Sequence, residues 1–319
     1  MDISRAAFLD LASVHRSELD LSGLEAAVSK WTWFDNINQA EIPRVLAEVD
    51  IVVSNKIVLG EKQLKNAKNL KLICVAATGT NNIDLAAAKS LGIPVCNVRA
   101  YATASVVQHV FAMLLALTTR LDEYKTAVHN GQWSRSEHFC LLDFPIRELQ
   151  GKTLGIVGYG ELGKAVAKVA EAFGMQVLIS KRNPGDSRPE RWPLHELLQK
   201  VDVLSLHCPL NEQTQGLIGE KELSLMKSDA VLINTARGGL VDESALLDAL
   251  NCKTIGGAAI DVLAQEPPDD NPPLLQAGIP NLIVTPHIAW ASVESRQRLI
   301  DEIAKNIEAF KAGTLHNQV

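Results

Sequence analysis

The sequence predicts an α/β protein built from two doubly wound parallel-sheet domains, and three observations predict it. Nine short apolar runs alternate with helical patterns along most of the chain. The 319 residues exceed what one hydrophobic core ordinarily supports, so two interiors are expected. In mid-chain, the glycine-rich turn Gly158-Tyr-Gly-Glu-Leu-Gly163 lies between a strand-like and a helix-like segment.

The apolar runs, in order, are Asp50–Val53, Leu72–Ala76, Val95–Val98, Leu154–Val157, Val177–Ile179, Val203–Leu206, Val231–Asn234, Ala258–Val262 and Leu282–Thr285. Their alternation with helical segments makes them strands of parallel sheets with helices on both faces. Near Arg99 strand patterning gives way to Ala102–Val128. There Val106, Val107, Val110, Phe111, Leu114 and Leu117 recur at helical spacing, which predicts one long helix carrying the chain from one domain into the other. Residues Gly131–Gln150 carry Trp133, Phe139, Leu141, Leu142 and Phe144 with little periodicity. They read as an arm covered by another subunit or, alternatively, as a loop packed on its own domain. After Pro286, Ser292–Phe310 reads as a closing helix with Leu299, Ile300, Ile303, Ile307 and Phe310 on one side, expected to pack back on the first domain and make it discontinuous.

Composition excludes several function classes. The formal charge of -6 arises from 31 basic and 37 acidic residues that are interspersed, with neither a basic stripe for a duplex nor a cationic amphipathic face for lipid. Nucleic-acid and membrane partners are therefore not expected. Cys74, Cys96, Cys140, Cys208 and Cys252 form no C-x-x-C pair and are odd in number, which fits reduced thiols in the cytoplasm. The opening MDISRAAFLDLASVHR has acids early and no sustained apolar core, so it does not read as a secretory signal. The longest apolar run, Val110–Leu117, is far short of the roughly 18 residues of a spanning helix. A cytoplasmic location is expected.

The mid-chain turn has the strand, the glycines and the helix that a dinucleotide fingerprint needs. Gly158 permits the tight turn, Gly160 lets backbone N–H groups approach a pyrophosphate, and Gly163 lets the helix pack on the strand. Tyr159, Glu161 and Leu162 complete the motif, whose helix N-terminus then faces an anion. An acid usually follows the second strand of such a unit and accepts from the ribose hydroxyls. Here that place holds Ser180, Lys181 and Arg182. These cations attract a 2′-phosphate that a carboxylate would repel, so NADP(H) is favoured and NAD(H) stays open. No metal is expected, since His207-Cys208 lacks a matching ligand cluster.

Three ionisable residues follow later strands of the same domain: Arg237, Glu266 and His287. Ligands of open parallel sheets sit beyond the carboxyl ends of the strands, so all three are candidates for one catalytic site.

With these residues in view, the chain resembles the D-isomer-specific 2-hydroxyacid dehydrogenases, most strongly their glycerate dehydrogenase (hydroxypyruvate reductase) branch. The matching stretches are ATGTNNIDL (77–85), VQHVFAMLLALT (107–118), GYGELG, LHCPL (206–210), INTARGGLVDESAL (233–246), GGAAIDVLAQEPP (256–268) and NLIVTPHIAW (281–290). The resemblance implies a Rossmann-type cofactor domain, 99–290, inserted into a flavodoxin-like substrate domain, 1–98 plus 291–319. The cofactor domain is expected to carry the dimerisation helix and arm at about 102–150, and a homodimer is the family expectation.

The implied chemistry is reduction of a 2-keto acid to the D-2-hydroxy acid, and the reverse, by hydride transfer from a nicotinamide. His287 supplies the proton, Glu266 on its other ring nitrogen favours the charged ring, and Arg237 grips the substrate carboxylate or polarises its carbonyl. By the same resemblance, Asp261 accepts from the nicotinamide carboxamide, with Thr235 and Ala236 beside the ring. His207, Cys208 and Pro209 line the adenosine, with Thr214 placed beside them. Backbone N–H groups of the Thr78-Gly79-Thr80 loop bind the substrate carboxylate, although a simple turn would use Gly79 too. Lys56 is placed to line the substrate site. Trp290 either walls a small pocket for hydroxypyruvate or glyoxylate or is plain packing. His15, His129, His195 and His316 read as surface residues and His109 as a helix-packing one. Two other readings stay open: a dehydrogenase of another 2-hydroxy acid, and a cofactor-sensing binding protein or corepressor. A closing movement of the two domains on the cofactor is also expected.

Overall fold

A computed structural model describes residues 3–319 except 15, 16, 184, 277 and 280. His15 therefore lies outside the described residues. The chain divides into two units, residues 1–102 with 290–319 and residues 103–289. The sequence places these divisions at 98/99 and 290/291.

In the first unit β1 (Arg5–Phe8), α1 (Ser22–Ala27), β2 (Lys30–Trp33), α2 (Ile42–Glu48), β3 (Ile51–Ser54), α3 (Glu61–Leu64), β4 (Leu72–Val75), α4 (Leu85–Ser90) and β5 (Val95–Cys96) follow one another. All pairings are parallel, in the order β2-β1-β3-β4-β5, the flavodoxin-like arrangement. β3 and β4 read IVVS and LICV and are buried at every position, as strands covered on both faces must be.

The second unit contains α5 (Thr103–Thr119), α6 (Leu121–His129), β6 (Thr153–Val157), α7 (Glu161–Ala172), β7 (Gln176–Ser180), β8 (Arg191–Trp192), α8 (Leu194–Leu198), β9 (Val203–Leu206), α9 (Glu220–Leu225), β10 (Val231–Asn234), α10 (Glu243–Asn251), β11 (Gly257–Ile260) and β12 (Leu282–Val284). Its seven parallel strands run β12-β11-β10-β9-β6-β7-β8. Counted from β6, this is the Rossmann order with one strand added, and it reverses between β6 and β9. The loops after these two strands therefore lie side by side.

α11 (Val293–Lys311) returns to the first unit, capped by Ser292, whose hydroxyl accepts from the Ser295 N–H. Leu299, Ile300, Ile303, Ile307 and Phe310 enter one core with Phe8, Ile51, Val53, Leu72 and Cys74. Trp290 also stands in this unit, edge-on to Tyr101 at 6.3 Å and packed on that core.

All nine apolar runs are strands, and three strands escaped the apolar pattern. β1 reads RAAF, which is short and alanine-rich; β2 is a half-buried edge, KWTW; β8 is two residues at the other sheet's edge. The single helix expected over 102–128 is two helices meeting at 59°. Its ladder is interrupted because the Thr118 and Thr119 hydroxyls donate back to the Leu114 and Leu115 carbonyls, and Arg120 turns left-handed at φ 56°. Arg120 is held there by Asn281 and Glu123. Among the described residues no single helix is long and apolar enough to cross a membrane. In the arm, Phe144 packs against Tyr124, whereas Trp133, Phe139, Leu142 and Ile146 are exposed, Phe139 at 91% and Leu142 at 84%. His129, His195 and His316 are exposed.

Candidate active site

The fingerprint glycines are required for distinct steric reasons. A Cβ on Gly158, at φ +96°, would lie 2.5 Å from the carbonyl of His207, so only glycine lets the turn after β6 meet the loop after β9. A Cβ on Gly163 would meet the Gly158 carbonyl oxygen at 2.1 Å, so α7 can sit this close to β6 only without one. At Gly160 the same position is open space, and Gly160 caps the twelve-residue α7 with no side-chain bond to its first N–H groups. In the loops after β9 and β10, His207 Nδ1 and Thr235 Oγ1 are buried and have no hydrogen-bond partner. An open cradle, a helix N-terminus and orphaned polar atoms fit a dinucleotide.

His207 bonds through Nε2 to the Ser205 hydroxyl at 2.8 Å, and its burial pushes the imidazole down to about 4, so the ring is neutral. Burial likewise pushes the Cys208 thiol up to about 11, which removes thiolate chemistry. Thr214 braces the same loop, donating to the Pro209 carbonyl and accepting from the Asn211 N–H. Ser180, which ends β7, is buried; after it the Lys181 N–H donates to the Trp192 carbonyl and the Arg182 N–H to Asp186. Asp186 is gripped by Arg188 through two bonds, at 2.7 and 2.5 Å, which hold its carboxyl below the usual range. Among the described residues, the only acid of this loop that binds a cation closely is thus already neutralised.

At the carboxyl ends of β10, β11 and β12 the catalytic candidates are positioned by short-range bonds. Asn234, fully buried, clamps the 235–237 turn by accepting from the Ala236 N–H and donating to the Arg237 carbonyl. Arg237 Nη1 donates to the Ala236 carbonyl. A Cβ on Gly238 would lie 1.9 Å from the Leu263 carbonyl carbon, so Arg237's turn presses directly on the Leu263–Ala264 backbone. Glu266 belongs to that second turn: its Oε1 accepts from the Leu263 N–H at 2.9 Å and its Oε2 meets His287 Nδ1 at 2.6 Å. Glu266 and His287 are brought together as a hydrogen-bonded dyad.

His287 sits at φ 55°, a conformation costly for a side chain-bearing residue. Asp261 holds it there. The Asp261 carbonyl accepts from the His287 N–H, Oδ1 from the Thr285 hydroxyl and the Ile288 N–H, and Oδ2 from the Ala289 N–H. His109 reaches across from α5, Nε2 2.9 Å from Thr285 Oγ1 and 3.5 Å from Asp261 Oδ1. Burial would raise the Asp261 pKa, but the bonds from His109, Thr285 and the two N–H groups outweigh it and hold it below the usual range. The Asp261 side chain is wholly enclosed, and in this geometry it serves the loop of His287. His109 is bound to this array, not packed as a plain helix residue.

In the first unit, the loops after β1 and β3 meet where its strand order reverses. Asp10 accepts from the N–H groups of Asn55 and Lys56, and its burial outweighs these bonds to push the carboxyl up. Lys56 is exposed. Thr78 donates to the Val98 carbonyl, and its own carbonyl accepts from Asn97, which fixes the loop that carries Gly79.

Comparison with known proteins decides the family. Residues 111–289 match the model of the "D-isomer specific 2-hydroxyacid dehydrogenase, NAD binding domain". The chain belongs to the D-isomer-specific 2-hydroxyacid dehydrogenase family. Among members of the family, a glycerate dehydrogenase of Methylorubrum extorquens is 46% identical over 94% of this chain and 97% of its own. A hydroxypyruvate reductase of Blautia hydrogenotrophica is 38% identical over 98% of each. The solved structure of an NADPH-dependent glyoxylate/hydroxypyruvate reductase of Sinorhizobium meliloti, in complex with NADP and malonate, covers 100% of this chain and 97% of its own at 26% identity and a TM-score of 0.83. Among the described residues no group of three His, Cys, Asp or Glu is arranged to hold a metal.

Sequence reading missed Asn234, Gly238, Thr285 and the role of His109. A polar residue closing an otherwise apolar strand, as Asn234 closes VLIN, was the available signal; His109 and Thr285 are 176 residues apart and gave none.

Proposed function

We propose that this dehydrogenase reduces hydroxypyruvate or glyoxylate to the 2-hydroxy acid, D-glycerate in the first case, with NADPH favoured over NADH. The observation that carries the reading is the Glu266–His287 pair, 2.6 Å apart on the sheet that bears the dinucleotide fingerprint. When bound, the reduced dinucleotide supplies a hydride. Gly158, Gly160 and the first turn of α7 would hold its pyrophosphate, and Lys181 with Arg182 its 2′-phosphate. His287, its Nδ1 engaged by Glu266, passes a proton through Nε2 to the substrate oxygen and recovers it in the reverse direction. Glu266 keeps the ring oriented and stabilises the imidazolium. Arg237 steadies the carboxylate and the charge that gathers on the carbonyl oxygen. Lys56 and the Thr78–Gly79 loop are proposed for substrate recognition; Trp290's packing on Tyr101 favours a structural role for it.

The preference among keto acids is supported by the names of the relatives, and the cofactor preference by Lys181, Arg182 and the NADP-bound neighbour. A homodimer is supported by the exposed Phe139 and Leu142 of the arm, and a cytoplasmic location by five unpaired cysteines. Sedimentation as a monomer at micromolar concentration would remove the first of these. The activity is tested by following nicotinamide absorbance with a panel of small 2-keto acids and both cofactors. Hydroxypyruvate and glyoxylate with NADPH should give the highest kcat/KM. No oxidation of either cofactor with any acid would contradict the reading.

A further inference from the structure

We infer that Arg191 is the buried cation of the adenosine subsite and binds the cofactor's 2′-phosphate. Arg191 stands on the edge strand β8, paired with Ile179, while the next residue, Trp192, pairs with Ser180. That register sets it at the carboxyl end of β7, beside Ser180, Lys181 and Arg182. Its side chain is 9% exposed, and its guanidinium lies over the ring of Tyr159, 4.9 Å from the centroid. Tyr159 is the residue between the first two fingerprint glycines. The strand edge and the phosphate turn are therefore joined through this one side chain.

The charge of Arg191 is only weakly answered within the protein. Nε is buried and has no hydrogen-bond partner, and among the described residues no acceptor takes a bond from the rest of the fork. The nearest carboxylate oxygen, on Glu190, is 3.6 Å from Nε on a side chain 58% exposed. Asp186 is already gripped by Arg188. A guanidinium cannot shed its proton, so burying it without an anion is costly unless a ligand brings one. The aromatic face holds the planar fork in one orientation, which suits phosphate oxygens. With Lys181, not an acid, directly after β7 where a ribose hydroxyl would be met, the matching ligand group is a phosphate on that ribose. The pyrophosphate offers the same chemistry, and the two sources differ in what they predict for NADH.

The inference rests on the proposed preference for NADPH. The test measures dissociation constants for NADPH, NADH and 2′,5′-ADP by fluorescence titration on the wild type, Arg191→Met and Arg191→Lys, with melting of the ligand-free proteins alongside. Arg191→Met should weaken NADPH and 2′,5′-ADP by about tenfold or more, the loss of a charge-assisted bond, and NADH by less than about threefold. Its ligand-free melting temperature should not fall, because a buried charge held only by the exposed Glu190 and the Tyr159 ring has been removed. Arg191→Lys should lie between. Equal weakening of NADPH and NADH would assign Arg191 to the pyrophosphate and overturn the inference. So would a lowered melting temperature with an unchanged NADPH-to-NADH ratio, which marks a structural tether. A wild type that binds NADH as tightly as NADPH would overturn the cofactor preference itself and this inference with it. A wild type that prefers NADPH, with Arg191→Met keeping the preference, overturns the inference alone.

Discussion

Replacing Asp261 by Asn keeps the side chain's shape and removes one acceptor oxygen. In the native loop, Oδ1 takes the Thr285 hydroxyl at 2.5 Å and the Ile288 N–H at 2.9 Å, and Oδ2 takes the Ala289 N–H at 2.9 Å. Whichever way an amide is turned, one of those buried backbone N–H groups faces an NH2. An unsatisfied buried donor costs about 1–3 kcal/mol, and the remaining bonds lose their charge assistance. The same bonds keep His287 at φ 55°, so the loop has a relaxed alternative to fall into. A catalytic group displaced by about 1 Å loses roughly a hundredfold in rate. Asp261→Asn should therefore lower stability in urea by about 1–3 kcal/mol and kcat by about 10- to 100-fold, with KM for the keto acid little changed. Stability and kcat both within experimental error of wild type would refute the claim that Asp261 positions His287.

Two further outcomes follow from the same geometry. Gly238→Ala puts a methyl 1.9 Å from the Leu263 carbonyl carbon and must part the turns of Arg237 and Glu266; stability should fall by about 1–3 kcal/mol and kcat/KM with it, and an unchanged kcat/KM would show that the contact is dispensable. For His207, burial lowers the folded pKa to about 4 from 6.5. Between those values the unfolded chain takes up a proton that the folded ring refuses. Its contribution is thus complete above pH 6.5 and is lost as pH falls toward 4, by about 3 kcal/mol at most. His207→Gln should flatten that part of the ligand-free stability profile, measured by urea unfolding at pH 7 and 4.5; an equal pH slope in both proteins would assign the loss to other groups.

The parts of this molecule that follow a local period were legible without coordinates. IVVS, LICV and VLIN read as strands because burial on both faces demands unbroken apolar runs. Gly158 and Gly163 were legible because the turn they make has a fixed spacing. β1 and β2 were not, since RAAF and KWTW owe their pairing to neighbours and not to their own pattern. The break at Arg120 was hidden inside a continuous helical period and depends partly on Asn281, far along the chain. Glu266 and His287 were recognisable as a pair. What holds them was not: Asp261's bonds to the loop, His109 arriving from α5 and Gly238 pressed on Leu263 are tertiary contacts with no trace in spacing. Arg191 carries no signal in spacing either, since its burial over Tyr159 is a tertiary contact.

In the proposed reaction His287 is the proton donor, set by Glu266. The most direct measurement is single-turnover oxidation of NADPH by hydroxypyruvate in His287→Ala, with the dissociation constant for NADPH determined on the same protein. The chemical step should slow by about 10²- to 10⁴-fold while NADPH binding stays within about threefold of wild type. A chemical step as fast as wild type, or a loss explained wholly by weaker NADPH binding, would contradict it.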